Sequence, residues 1–149
     1  MAKLRAIAQT AEVALAAASA KTVLQVVAAA NHRVSVEGWG VFFDGTSVTG
    51  EPVQVRLLRQ STAGTMSALT PVKLDGSLGE TLQTTALHTA TVEPTAGDVV
   101  DVIECHPQGG YEKLFPMGQE VILAGAGRLG IECTSPANVN VRAKLIFEE

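Results

Sequence analysis

Short hydrophobic runs separated by turn residues make up the chain from Thr22 onward. Within several runs the hydrophobic residues occupy every second position, as at Val34 and Val36 or at Val139 and Val141. This alternation is typical of half-buried strands in an antiparallel sheet, and the abundant Val, Ile and Thr favour strands. The runs predicted as strands are 22–30, 33–43, 53–59, 84–92, 99–105, 120–124, 128–134 and 138–148.

The spacing of these runs predicts the fold class. Strands that recur about every ten residues with turn signals between them are typical of a β-sandwich or barrel. No stretch after Thr22 repeats its hydrophobic residues with the helical period of 3.6 residues. We therefore expect an all-β protein, a single eight-stranded antiparallel β-sandwich.

The Ala-rich segment 1–21 fits two interpretations. Leu4, Ile7, Ala11 and Leu15 keep helical spacing, and Ala favours a helix. With period two, "AEVALAA" is an arm or an edge strand that pairs with the sandwich or with a neighbouring molecule. We favour an extended arm, so that residues 1–21 form an N-terminal arm and residues 22–149 form the sandwich domain.

Segment 60–83 is rich in Ser, Thr, Gly and Pro. It predicts a long surface excursion, which is where the binding surfaces of all-β domains usually lie.

Composition adds one constraint on the surface. The chain has 149 residues, enough for one domain with a full core. Only 17% of its residues are charged, whereas about a quarter is usual in soluble proteins. This low fraction indicates that neighbouring subunits cover part of the surface.

Charge and hydropathy argue against two kinds of partner. The net charge of −4 lacks the concentrated basic face that nucleic-acid binding needs. Segment 1–21 has a net charge of +2, from Lys3, Arg5 and Lys21 against Glu12, which leaves −6 for the rest of the chain. The charges of this segment are either solvated or dock the arm onto an acidic neighbour. Segment 11–30 is too interrupted by charged and polar residues for a membrane span.

Export is not indicated either. No compact Leu-rich region follows the first basic residues, so a secretory signal is not predicted. Two cysteines, Cys105 and Cys133, are too few for a disulfide scaffold and fit an intracellular folding environment.

The stretch "VILAGAGRLG" contains the G-x-G-x-x-G letters of a dinucleotide-binding turn, with Gly125, Gly127 and Gly130 as the three glycines. That turn requires a helix after the glycines, whose N-terminus holds the pyrophosphate. Here "IECTSPANVNV" follows, which alternates and contains a proline. We therefore predict a hairpin of strands 120–124 and 128–134 joined by a Gly-Ala-Gly turn, and no bound cofactor.

Cys105, His106 and Cys133 are candidate metal ligands, because Ile-Glu-Cys occurs at both cysteines. Zinc needs four ligands, usually in closely spaced pairs, and His32 and His88 lie in other runs. Two buried thiols at similar strand positions are the favoured interpretation, and no metal site is predicted.

Catalytic groups are equally sparse in the sequence. There is no G-x-S-x-G motif, and His88 has no acidic neighbour in its Thr-rich run. Asp98, Asp101 and Glu104 form either an acid–base or cation site or, as we favour, a solvated strand face. We predict no catalytic residue and no enzyme activity.

Two aromatic regions have structural interpretations. Segment 106–119, "HPQGGYEKLFPMGQ", carries Tyr111 and Phe115 and is either a contact loop or a loop folded onto its own domain. Trp39 is predicted in the core, with its flanking glycines making room for the ring.

From Thr22 to Glu149 the chain resembles the jelly-roll head decoration, or cement, proteins of tailed bacteriophages. The stretches that carry the resemblance are "KTVLQVVAAANHRVSVEGWGVFFDG", "EPVQVRLLRQSTAGT", "HPQGGYEKLFPMGQEVIL" and "RLGIECTSPANVNVRAKLIFEE". The resemblance implies a jelly roll on the outside of a capsid, often a homotrimer, that braces neighbouring major capsid subunits. It implies no catalytic residue, and the expected location is the virion surface after synthesis in the host cytoplasm.

Two other functions stay open at this point. A tail, collar or fibre component of a virion can use the same sandwich, because a fold does not determine a position in the particle. A carbohydrate-binding module that uses segment 60–83 is the other alternative, although such sites usually stack sugars on aromatic rings and this segment has none.

Overall fold

The computed structural model describes residues 4–77 and 79–149. It is all-β, with two antiparallel sheets of seven and six strands that form a sandwich. The strands are β1 (Arg5–Gln9), β2 (Val13–Leu15), β3 (Ala20–Val27), β4 (Val34–Phe43), β5 (Val53–Gln60), β6 (Thr65–Leu69), β7 (Val72–Lys73), β8 (Thr85–Val92), β9 (Ala96–Cys105), β10 (Gly110–Leu114), β11 (Val121–Leu123), β12 (Arg128–Thr134) and β13 (Val139–Glu148).

The strand order shows how the chain builds the two layers. The seven-stranded sheet has the order β10-β4-β13-β1-β7, with β11 also paired to β4 and β2 to β13. The six-stranded sheet has the order β6-β8-β3-β12-β5-β9. Successive strands often change sheet: β3 lies in the six-stranded sheet, β4 in the seven-stranded sheet, and β5 in the six-stranded sheet again. These crossings hold the two inner faces together.

The core lies between the sheets and is filled by alternate residues of the strands. In β13, Leu145 and Phe147 are fully buried, and Trp39 of β4 is buried as predicted. The indole ring of Trp39 packs against Tyr111 of β10 with 5.3 Å between ring centroids. Full burial of one such large side chain stabilises the fold by roughly 1.5–3 kcal/mol.

All eight predicted runs contain strands, but the predicted number of strands was wrong. Five further strands, β1, β2, β6, β7 and β10, have at most five residues each. These strands are too short to show a sustained alternation, and in β1 small residues fill the inner positions. Ala6 and Ala8 of β1 are both fully buried.

The N-terminal segment, expected as an extended arm, supplies two of these strands. Strand β1 lies between β13 and β7, with Ile7 opposite Ile146 on one side and Val72 on the other. Strand β2 pairs with the beginning of β13. The segment is thus extended within the sheet. Lys3, one of its basic residues, lies outside the described residues.

The predicted hairpin of strands 120–124 and 128–134 was wrong. Strand β11 pairs with β4 in the seven-stranded sheet, whereas β12 lies between β3 and β5 in the six-stranded sheet. The Gly-Ala-Gly turn therefore carries the chain from one sheet to the other. The positive φ in this turn belongs to Ala126, at 63°.

Gly125 is required by a close approach of two backbone segments. A Cβ atom at this position would lie 2.1 Å from the carbonyl oxygen of Ala30. The same contact region contains hydrogen bonds from Ala126 N to Ala29 O, at 3.2 Å, and from Ala28 N to Gly127 O, at 2.9 Å. The turn backbone thus lies directly against segment 28–30, with no space for a side chain.

We expect Gly125→Ala to lower the free energy of unfolding by about 1–3 kcal/mol, because the added methyl group forces the two backbone segments apart. Urea denaturation followed by Trp39 fluorescence measures the change. Gly76→Ala is the matched control, since an added Cβ there meets no atom within 4 Å. Equal stability of the two variants would contradict the close-approach explanation.

Candidate functional site

The strand register places one residue from each of five strands in a single row across the outer face of the seven-stranded sheet. The row consists of Leu114, Gly38, Ile146, Ile7 and Val72, on β10, β4, β13, β1 and β7 respectively. We call this row the aliphatic stripe. Neighbouring strands lie about 4.8 Å apart, so the stripe is about 19 Å long.

Alternation along each strand turns the stripe outward. Ala6 and Phe147 face the core, and their chain neighbours Ile7 and Ile146 therefore point to the opposite side of the sheet and are half-buried. The two ends of the stripe are the most exposed, with Leu114 at 63% and Val72 at 60% of full exposure. The sheet thus buries aliphatic side chains on its inner face and displays others on its outer face.

Gly38 gives the stripe its continuity. A Cβ atom at Gly38 would lie 2.5 Å from Leu114 Cδ2, so the leucine side chain extends over the glycine towards β13. Gly40 likewise leaves room for Lys144, whose Cε would be 3.2 Å from an added Cβ. The expectation that these glycines make room for the Trp39 ring was wrong, because the indole points to the opposite face.

Charged rows border the aliphatic stripe on both sides. On one side Arg5 Nε donates a hydrogen bond to Glu37 Oε2 at 2.9 Å, and this hydrogen bond raises the pKa of Arg5. On the other side Lys144 Nζ lies 2.7 Å from Glu112 Oε1. An aliphatic centre with a polar rim is the usual anatomy of a protein–protein interface.

A shallow groove lies beside the stripe. It has a volume of about 370 Å³, and its lining includes Leu74, Leu114, Met117 and Ile146. Met117 is 97% exposed in the turn where Gln119 N donates to Pro116 O at 2.9 Å. A flexible thioether in this position can adapt to the shape of a partner surface.

Segment 106–119 folds onto its own domain through its aromatic residues, which was one of its two predicted interpretations; its use as a contact loop stays a prediction. Tyr111 packs on Trp39, and Phe115 is half-buried against the core, so these two aromatic residues fold onto their own domain. Leu114 and Met117 point outward instead. The sequence pointed to the aromatic residues of this segment and not to these two aliphatic ones, whose only signal was their apolar character beside Pro116.

The glycine motif does not form a phosphate-binding turn. Strand β12 follows Gly127 in the place where a dinucleotide fold needs a helix. Gly130 lies within β12 and is covered by Gln60, whose Oε1 would be 2.2 Å from an added Cβ. These glycines serve close packing against neighbouring backbone and side chains.

The two cysteines flank the same strand and are not bonded to each other. Cys105 lies opposite Val53 and Cys133 opposite Val55, on the two sides of β5. Burial raises the pKa of both thiols, most strongly for Cys133. Over residues 4–77 and 79–149, no three His, Cys, Asp or Glu side chains are grouped so that they could hold a metal ion.

The imidazole rings of two of the three histidines contact residues close to them in the sequence. His88 Nδ1 lies 2.9 Å from Thr89 Oγ1. His106 Nδ1 accepts a hydrogen bond from Gln108 N at 3.2 Å. His32 follows β3 in the connection to β4.

The acidic residues of β9 also have separate partners. Lys113 Nζ donates to Asp101 Oδ2 at 2.9 Å, and Gln54 Nε2 donates to Glu104 Oε1 at 3.4 Å. Asp98 lies exposed at the beginning of the strand. The three carboxylates are thus dispersed along β9 and do not converge on a single site.

A carboxyl pair that the sequence did not reveal lies at the end of β4. Asn140 Nδ2 donates to Glu12 Oε1 at 2.8 Å and to Asp44 Oδ2 at 3.1 Å. A hydrogen bond with Glu12, followed by those from Asn140, lowers the pKa of Asp44. This cluster ties the β1–β2 connection to β4 and β13.

Within the part of the chain that the structure describes, no helix is long and apolar enough to cross a membrane. Comparison of the chain with protein-family models, with curated proteins and with solved structures gave no match.

We expect Cys133 to resist alkylation in the folded protein, because burial disfavours the thiolate, which is the reactive form. Iodoacetamide followed by mass spectrometry should leave Cys133 unmodified under native conditions and should modify both cysteines in urea. Rapid native labelling of Cys133 would contradict its placement in the core.

Lowering the pH should remove the stability that Asp44 contributes. Its pKa in the folded protein is lowered, so the contribution is present above the unfolded value, about 3.9, and is lost as the pH falls through the folded value. We expect Asp44→Asn to be less stable than wild type at pH 7, where the Asp44 carboxylate accepts hydrogen bonds from Asn140, and the difference to shrink as the pH falls through the folded pKa. Urea denaturation at each pH measures the difference, with Asp98→Asn as the exposed control. A constant difference across pH would contradict this assignment.

Proposed function

We propose that this protein is a structural virion protein, a capsid decoration or cement protein. It binds the outside of a phage head and stabilises contacts between neighbouring subunits of the major capsid protein. The sandwich acts as a rigid mount, and the aliphatic stripe with its charged rims is the surface that meets the shell.

The observation that carries this proposal is the aliphatic stripe. Its residues are contributed by five strands whose opposite sides are held in the core, so the outer surface is fixed in shape before a partner arrives. Pre-organisation lowers the conformational cost of association. The charges beside the stripe already form ion pairs within the chain, so a partner can cover them without leaving a charge unpaired.

Stabilisation of a shell follows from mass action. A protein that binds the assembled shell and not the free subunits shifts the equilibrium towards assembly. Such a protein needs shape and contact area and no reactive group. The paired charges and exposed aliphatic side chains of this face fit that requirement.

The resemblance to decoration proteins adds a jelly-roll topology and a homotrimer to the proposal. The repeated crossing of the chain between sheets, from β3 to β4 to β5, supports a jelly-roll relationship. The 17% charged residues support coverage of further surface by other copies of the chain. A closed trimer would use that surface and leave one stripe per copy for the shell.

The double variant Leu114→Lys/Met117→Lys tests the role of the stripe. Both side chains are exposed, so the fold should persist, while two unpaired charges in the contact should weaken binding to the shell at least about tenfold. Binding is measured by cosedimentation with shells assembled from the major capsid protein. Val48→Lys, on a 78% exposed valine of the β4–β5 loop, is the matched control. Binding unchanged by the double variant would exclude the stripe as the contact.

Cryo-electron microscopy of intact particles tests the location. We expect density for the protein at many symmetry-related positions on the head surface. Density restricted to the tail or collar would replace the decoration role with that of another virion component. Failure of the purified chain to form trimers in solution would remove the homotrimer from the proposal while leaving shell binding open to test.

A further inference from the structure

Strand β9 is a long, open edge of the six-stranded sheet. One side of its ten residues pairs with β5, from Cys105 opposite Val53 to Ala96 opposite Gln60. No strand of the described residues pairs with the other side. The strands at the other ends of the two sheet orders, β6, β7 and β10, have five, two and five residues, and β2 and β11, which each pair with a single strand, have three.

The second half of β9 carries only part of the usual protection of an edge. Natural edge strands are blunted by charged side chains, Pro or bulges; residues 101–105 contain no Pro and no register shift, and their charges are the two acidic side chains of Asp101 and Glu104. The pairing with β5 is irregular between Leu57 and Gln60, which bends the first half of β9. From Asp101 to Cys105 the register is regular, so the free backbone groups of this part are arranged to accept another strand.

Exposed aliphatic side chains accompany this free edge. Val99 is 46% exposed, Val100 38% and Val102 53%. Val102 lies opposite Arg56 on the outer face of the sheet, where Arg56 pairs with Glu132. A strand added along residues 101–105 would cover Val102 together with the free backbone groups, and its continuation would lie beside Val99 and Val100.

Charge selects the kind of strand that fits. Asp98, Asp101 and Glu104 are the only charged residues of β9. The Lys113 ammonium group neutralises the Asp101 carboxylate. Asp98 is exposed. The Glu104 carboxylate accepts a hydrogen bond from the neutral side-chain amide of Gln54. A second β9 would bring carboxylates towards carboxylates, which is unfavourable in a strand pair. A strand with basic residues is favoured instead.

We propose that the edge of β9 binds an extended polypeptide segment in which Lys or Arg alternates with apolar residues, by adding it to the six-stranded sheet. Backbone hydrogen bonds to the free edge supply affinity, and contacts with the valines and with Asp98 and Glu104 supply selectivity. This site lies in the other sheet from the aliphatic stripe. It goes beyond the proposed function and does not depend on binding to a phage head.

A pair of synthetic peptides tests the proposal on the full-length protein. The probe is an acetylated and amidated peptide of ten residues in which Val and Thr alternate with Lys, and its counterpart has Glu in place of each Lys. Titration by fluorescence anisotropy gives the affinities, and amide ¹H–¹⁵N spectra locate the site. We expect the Lys peptide to bind at least about tenfold more tightly than the Glu peptide, less tightly at high salt, and to protect β9 amides from hydrogen exchange.

Variants at the two edges of the same sheet provide the matched comparison. Val102→Lys should weaken binding of the Lys peptide at least about tenfold, because it adds a like charge to the edge. Ala68→Lys, at an exposed position of the opposite edge strand β6, should leave binding unchanged. The two variants should unfold at similar temperatures, because both positions are exposed.

Three results would overturn the proposal. The first is equal affinity of the protein for the two peptides, and the second is spectral changes that map away from β9. The third is a dimer of the protein that Val102→Lys dissociates, which would assign the edge to a second copy of the chain. Each of these outcomes is independent of the shell-binding experiments on Leu114 and Met117.

Discussion

The pairing of β4 with β13, and of β13 with β1, is the constraint on which the rest of the structure depends. Side chains alternate between the two faces of a strand, so the register decides both what is buried and what is displayed. With Leu145 opposite Trp39 and Phe147 opposite Val36, the large residues of both strands enter the core. A shift of β4 by one residue would turn the tryptophan to solvent, and a shift of β13 by one residue would move charged residues such as Lys144 inward.

A single irregularity in this pairing makes the outer face possible. Gly38 pairs with Ile146 and Val36 with Phe147, which leaves Glu37 as an extra residue in β4. The bulge allows Val36 and Trp39, three positions apart, to share the inner face, and it places Gly38 in the outward row. Glu37 reaches Arg5 on β1 from this position. This bulge at Glu37 thus has three consequences. It lets Val36 and Trp39 pack in the core, it places Gly38 where Leu114 covers it, and it brings Glu37 to Arg5 in the charged rim.

The aliphatic stripe and the edge of β9 present different chemical groups to a partner. The aliphatic stripe crosses its strands and presents side chains, with neighbouring charges already paired. The edge of β9 runs along one strand and presents backbone groups, with Asp98 and Glu104 available to a basic partner. A protein that carries both surfaces can contact two partners at once, and the two contacts together hold more strongly than either alone when the geometry permits both.

Alternation and turn residues in the sequence by themselves determined the all-β class, the sandwich, the positions of eight of the strands and the burial of Trp39, because period two and strand propensity are local properties. Strands such as β1 and β7 were not predicted as strands of the sandwich, since their few residues acquire a pattern only when β13 and β1 lie beside them. Tertiary structure alone decided that β11 and β12 belong to different sheets, that Gly38 makes room for Leu114, and that Ile7, Ile146 and Val72 form one row. Each of these facts depends on which strands are neighbours, and the register between distant segments is set by packing of the whole core rather than by any one segment.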